Sequence, residues 1–194
     1  MQFHVLADDD GIGSRVTSNS TTMQRLHLLL KTQQYEQIGD ELDRAEMAEE
    51  IPEFYILDFR AILAMVDGSE LASDYLEMAE AVAASPRELA IAAEHRAAHE
   101  LLRGDPLTAA KRCMVTLEQI CQTEGLWNNL LIALYRLGEV EAIDATLRSF
   151  AQLSEECTTR LVRLLLSEPD LSEVRARPAF TNLLGRWTAE QAAD

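Results

Sequence analysis

The chain has 194 residues and a mass of 21.7 kDa, enough for one domain with a proper core and too few for two large ones. A formal charge of −16 and a pI near 4.6 argue against general nucleic-acid binding, which rewards clustered Lys and Arg, and against anionic membrane surfaces. Apolar residues make up 47% and aromatics only 6%, a balance that suits helix packed on helix, and no apolar run is long enough to span a bilayer.

The N-terminus, MQFHVLADDDG, lacks the basic region and the apolar core of a secretory signal, which predicts a cytoplasmic protein. Residues 1–20 include the polar run SRVTSNSTT and read as a flexible arm that ends in a helix N-cap at Ser20, Thr21 or Thr22. MQFHVL could form a short strand, but nothing in the chain is an obvious strand partner. A calcium loop counted from Asp8 would close at Asn19, whose amide cannot chelate as a bidentate carboxylate does, so an EF-hand is excluded. Cys113, Cys121 and Cys157 are odd in number and lack CxxC spacing, as expected of reduced cysteines on helices. Lys31 and Lys111 are the only lysines among the cations, a usage that fits a GC-rich bacterial genome.

From Thr22 onward the apolar residues recur with helical spacing, broken by Pro and Gly into consecutive helical hairpins. The first pairs MQRLHLLLKTQ with YEQIGDELDRAEMAEE, whose buried stripe is Ile38, Leu42 and Ala45, and ends at Pro52. The second pairs EFYILDFRAILAMV with ELASDYLEMAEAVAAS, using Ala72, Leu76 and Ala79, and ends at Pro86. The third pairs RELAIAAEHRAAHELL with PLTAAKRCMVTLEQICQ through Ala110, Met114 and Leu117, with Pro106 in a first turn where a missing N–H costs nothing. The fourth is LWNNLLIALYRLGEVEAIDATLRSFAQL: Trp127, Leu130, Leu131, Leu134 and Leu137 line one helix, Gly138 turns the chain, and Ile143, Leu147 and Phe150 line the next. Tyr35, Phe54, Tyr55, Phe59 and Tyr75 gather in the first two hairpins and read as core rather than as a binding box.

The Trp127-to-Gly138 pattern followed by a branched residue resembles a tetratricopeptide (TPR) repeat, and Ile38, Ala72, Ala110 and Ile143 recur at 34, 38 and 33 residues, near the period of that family. After Leu153, LSEPDLSEVRARPAFTNLL is similar to the closing segment of many bacterial TPR proteins, an acidic-Pro-Asp-Leu turn leading to an Arg and then Pro-x-Phe. Phe180, Leu183, Leu184 and Trp187 fall on one stripe that would cover the last hairpin. The resemblance implies an all-α, right-handed superhelical solenoid of about four hairpins over residues 21–153. Capping helices over 154–188 and a tail over 189–194 complete it.

No Gly-rich phosphate loop, GxSxG, HExxH or Cys–His constellation stands in the chain, so no catalytic residue, metal site or cofactor is expected. His95 and His99 are spaced i, i+4 without a third ligand, and read as solvated or groove-lining. In the TPR arrangement the first helix of each hairpin lines a concave groove. The resemblance therefore places His27, Leu30 and Lys31, then Leu57, Ala61 and Met65, then His95, His99 and Arg103, then Asn128, Ile132, Tyr135 and Arg136 along it. Of these, His27, Lys31, His95, His99, Arg103, Asn128 and Arg136 are the expected partner-binding residues. Glu36, Asp40, Asp43, Glu46, Glu77 and Glu80 fall on the outer helices, so a neutral-to-basic groove inside an acidic shell is expected to take a protein segment carrying carboxylates. This describes a non-enzymatic adaptor or chaperone-like module. The alternative is a structural or self-associating subunit that uses its outer face, or an apolar surface at Leu26, Leu29 and Leu30 left uncapped in the first hairpin.

Overall fold

A computed structural model of the chain describes residues 19–120, 122–150 and 155–191. Among them are eleven α-helices and no strand: α1 (Asn19–Lys31), α2 (Tyr35–Met47), α3 (Glu53–Val66), α4 (Leu71–Val82), α5 (Pro86–Leu102), α6 (Pro106–Gln119), α7 (Glu124–Leu137), α8 (Val140–Ser149), α9 (Glu155–Ser167), α10 (Ser172–Arg175) and α11 (Pro178–Gln191). No described helix is long and apolar enough to cross a membrane. Most of the expected arm, and Cys121 and the last three residues, lie outside the described residues.

The helices expected of four hairpins are present, α1 packs on α2, α3 on α4 and α7 on α8, and one turn geometry follows the first helix of each expected pair. After α1, α3, α5 and α7 the chain enters the left-handed region at Gln33 (φ 57°), Gly68 (66°), Gly104 (79°) and Gly138 (74°). The next amide then reaches back five residues: Gln34 N to Leu29 O at 2.9 Å, Ser69 N to Ala64 O at 2.8 Å, Asp105 N to Glu100 O at 2.9 Å, and Glu139 N to Leu134 O at 3.0 Å. Each is a Schellman turn, which satisfies carbonyls that a helix end otherwise leaves orphaned. Glycine adopts that backbone at no steric cost; Gln33 takes it in the first hairpin with a Cβ in place. Asp105 and Thr123 cap α6 and α7, accepting from Thr108 N (3.1 Å) and Leu126 N (3.2 Å), with Pro106 opening α6 as expected.

The chain divides into two compact units, with the boundary after His95 inside α5. The first unit holds α1–α4 and the start of α5. Its core combines Leu26, Leu29 and Leu30 of α1, Ile38, Leu42 and Ala45 of α2, Ile56, Phe59 and Ile62 of α3 and Ala72 of α4. A smaller cluster joins Phe54 and Leu57 to Ala79 and Ala92. Phe54 and Phe59 are buried, and Tyr35, Tyr55 and Tyr75 pack half-buried against these clusters, which is the core role expected of the aromatics.

The second unit holds the rest of α5 and α6–α11. In it α6 and α8 pack on α7, and α11 packs on α8 and α9. Phe180 and Leu183 are buried at that contact, and the indole of Trp187, half-buried, donates to Thr159 Oγ1 at 3.1 Å. Arg177 grips Asp144 of α8 with two bonds of 2.5 and 2.6 Å, tying the start of α11 to the fourth hairpin. The final helix thus covers the last hairpin, and the Pro-x-Phe string supplies the residue at its centre.

Several local expectations are corrected. The first helix begins at Asn19, so Ser20, Thr21 and Thr22 lie within it and do not cap it. Thr22 is buried and donates to Glu50 Oε2 at 2.7 Å. Leu26, Leu29 and Leu30 are 0%, 7% and 3% exposed, so α2 and α3 already cover the surface expected to be left open. In α6 the buried face is Ala109, Ala110, Cys113, Thr116 and Leu117, whereas Met114 is 56% exposed. Two apolar residues stand side by side at 113 and 114, and the smaller one takes the buried position.

Candidate partner-binding site

The seven residues expected to line a groove divide between the two units, and the structure gives them different environments. In the first unit Lys31 closes α1 and is exposed. His27 is half-buried, with its ring 5.5 Å from that of Phe59 and tilted 54° to it. His95 is not a surface group: it is 6% exposed, and its Nδ1 stands 2.6 Å from Oδ1 of Asp58, itself 3% exposed. Burial pushes the imidazole toward neutrality, but the Asp58 charge, the hydrogen bond to it and the nearby Glu94 outweigh that and lift its pKa to about 9. The imidazolium therefore donates to the carboxylate at neutral pH, and the pair locks α3 to α5. Leu57, Ala61 and Met65, placed beside it in the expected groove, are core residues at 5%, 0% and 7% exposure.

The same unit contains a second polar cluster with no counterpart in the expectations. Glu41 is 5% exposed and is held by Arg44 at 2.7 Å and Arg25 at 3.3 Å. Arg44 also reaches Glu50 at 2.6 Å, and Thr22 completes the ring. The Arg44 bond, seconded by that from Thr22, holds Glu50 below the usual carboxylate range, while its two carboxylate partners raise Arg44. On α3, Arg60 bridges Asp43 (3.1 Å) and Glu46 (2.7 Å) of α2. Two of the expected outer-face acids are thus already spent on the fold.

In the second unit Arg136 donates from Nη1 to the carbonyl of Leu101 at 2.7 Å, a cation satisfying the last turn of α5. That brings it to the end of the helix where Arg103 follows. His99 is half-buried and Arg103 exposed, and both are engaged in interactions of their own. Arg112 of α6 holds Glu100 through bonds of 3.0 and 2.8 Å to one carboxylate oxygen; the other, Oε2, is buried without a donor. Ile132, expected in the groove, is fully buried.

Asn128, on the first helix of the fourth hairpin, differs from the other six. It is 7% exposed, and its Oδ1 is buried with no hydrogen-bond donor. The Trp127 indole beside it in sequence packs edge-on against Phe150, ring centres 5.2 Å apart, and its Nε1 is likewise buried without an acceptor. A buried amide oxygen left unpaired costs about 1–3 kcal/mol, so it is a group that gains from any donor brought to it.

Elsewhere in this unit a cleft of about 500 Å³ opens between α8 and α11, lined by Asp144, Leu147, Arg148, Pro178, Ala179, Asn182 and Leu183. Among the described residues no three His, Cys, Asp or Glu side chains come together in a way that could hold a metal ion. Cys113 is buried. Compared with protein-family models, with curated proteins and with solved structures, the chain matches none of them.

Proposed function

We propose that the chain is a non-enzymatic protein–protein interaction module, an adaptor or chaperone-like protein. Its hairpins are TPR-like repeats, and within a unit a partner segment lies along their first helices. The observation that carries this reading is the unpaired Oδ1 of Asn128 on a first helix, closed to solvent in the unbound chain and so an acceptor that a partner's N–H reaches only when binding moves the groups over it. The Schellman turn that follows the first helix of all four pairs supports it too, although the same turn also ends α2 at Glu49 and Glu50. Lys31 in the first unit, and Arg103 and Asn128 in the second, are the contact residues of their own units in this reading. Arg136 acts through the end of α5, and His95 is part of the scaffold.

The test is co-purification from native lysate, with the wild-type chain and the Lys31→Glu/Asn128→Leu variant as baits. A protein held by wild type and released by the variant supports the first-helix site; equal retention removes it.

A second reading, a structural subunit or self-associating scaffold that uses its outer face, is favoured by large apolar residues left exposed on second helices. They include Leu107 and Met114 of α6. A sedimenting mass above 21.7 kDa for the purified chain at micromolar concentration supports self-association, and a clean monomer counts against it.

A further inference from the structure

Helix α4 shows the solvent an apolar face that its own hairpin does not use. At 100° per residue, Leu71, Tyr75, Met78 and Val82 fall within a stripe about 60° wide. The helix buries a different side, Ala72, Leu76 and Ala79, each fully closed to solvent. Tyr75 lies half-buried between the two faces, while Leu71, Met78 and Val82 are 54%, 48% and 37% exposed. Three large apolar side chains aligned over three turns are more than the scattered exposure of an ordinary surface.

The charges beside the stripe say what covers it. On its solvent flank Glu70, Asp74 and Glu77 follow one another a helical turn apart, all exposed, and α4 contains no Lys or Arg. Helix α6 also exposes Leu107 and Met114, but Lys111 interrupts that stripe. A second copy of this chain would set one row of carboxylates against another, and a lipid surface rich in anions would be repelled by the same row.

We infer that this face of α4 is a docking site for an amphipathic helix of another protein that carries Lys or Arg beside its own apolar stripe. Leu71, Met78 and Val82 interdigitate with that helix, and Asp74 and Glu77 set its orientation by pairing with the cations. None of the first-helix residues invoked above belongs to this surface, so the site stands or falls separately from that reading.

The experiment uses the full chain and a fluorescein-labelled 18-residue helical peptide with Leu at i, i+3, i+4 and i+7 spacing and Lys along one flank, followed by anisotropy. Two further peptides serve as comparisons: one with the same residues scrambled, one with Glu in place of Lys. The wild-type chain is expected to bind the first peptide and to bind the other two at least about tenfold more weakly, a difference of about 1.4 kcal/mol. Leu71→Gln/Met78→Gln weakens the first peptide by a similar factor, whereas Met114→Gln on α6 and Asn128→Leu on α7 leave it unchanged. Asp74→Lys/Glu77→Lys reverses the preference in favour of the Glu peptide, a gain that loss of folding cannot imitate. The inference is overturned if no peptide binds or if the scrambled peptide binds equally, which would be charge attraction alone. It is equally overturned if Leu71→Gln/Met78→Gln has no effect, or if those substitutions disperse a wild-type dimer, which would seat a second copy on the face.

Discussion

Asp58 of α3 and His95 of α5 form a 2.6 Å ion pair with both side chains all but closed to solvent. An isolated charge in that place would be expensive, so neither residue is dispensable alone, whereas removing both leaves an apolar gap that neighbours fill. His95→Leu and Asp58→Leu are each expected to destabilise the chain by about 3 kcal/mol or more, and the double substitution by less than the sum. Urea unfolding of the four proteins measures the coupling. Additive losses would contradict the pair.

The same pair sets a pH dependence. The folded-state pKa of His95, about 9, lies above its ordinary value of 6.5, so between those values the folded chain binds a proton that the unfolded chain releases. Its contribution is therefore complete below about pH 6.5, falls as pH rises and is lost above about 9. The urea midpoint of wild type should drop between pH 6 and pH 9.5, and that of the Asp58→Leu/His95→Leu variant should drop less.

Gln33 performs with a Cβ the turn that Gly68, Gly104 and Gly138 perform without one. Gln33→Gly is expected to stabilise the chain by up to about 1 kcal/mol, and Gly138→Ala to destabilise it by about 1 kcal/mol. Thermal melts of the two variants decide it; shifts of the same sign would mean that the turn geometry is not what the residues are paying for.

Arg44 holds both the buried Glu41 and Glu50, whereas Arg25 meets Glu41 at 3.3 Å from a position 61% exposed. Arg44→Met should lower stability more than Arg25→Met, whose exposed ion pair is screened by solvent. Equal losses in chemical denaturation would argue that the two arginines share the carboxylate evenly.

These residues also mark where sequence reading succeeds and where it stops. Helix ends at Pro52, Pro86, Pro106 and Gly138 were legible because each residue restricts the backbone whatever surrounds it. The face of α6 was not, since 110, 114, 117 and 109, 113, 116 satisfy the same period and only the packing partner chooses between Cys113 and Met114. His95 carried no local mark of burial. The signal stood 37 residues away, where Asp58 is a lone carboxylate inside the apolar string FYILDFRAIL, a pattern that calls for a cationic partner. Glu41 hid in the same way among the charges of an outer helix. Of the expected site, the residue types were legible and their environments were not: a cation on a helix can be a contact, a cap or half of a buried pair.

Asn128 links stability to binding. If its unpaired oxygen waits for a partner, Asn128→Leu removes a cost from the unbound chain, raising its unfolding free energy by about 1 kcal/mol, and simultaneously removes an anchor. Stabilisation without loss of the partner would separate the two.

The most direct test of the account is the mass at which the chain travels in a native extract of its own cells, read by light scattering after affinity-tagged size exclusion. The account predicts a mass above 21.7 kDa whose excess is a different polypeptide, with that excess lost from the Lys31→Glu/Asn128→Leu variant. A chain that travels at 21.7 kDa in both extracts, with nothing attached, would contradict it.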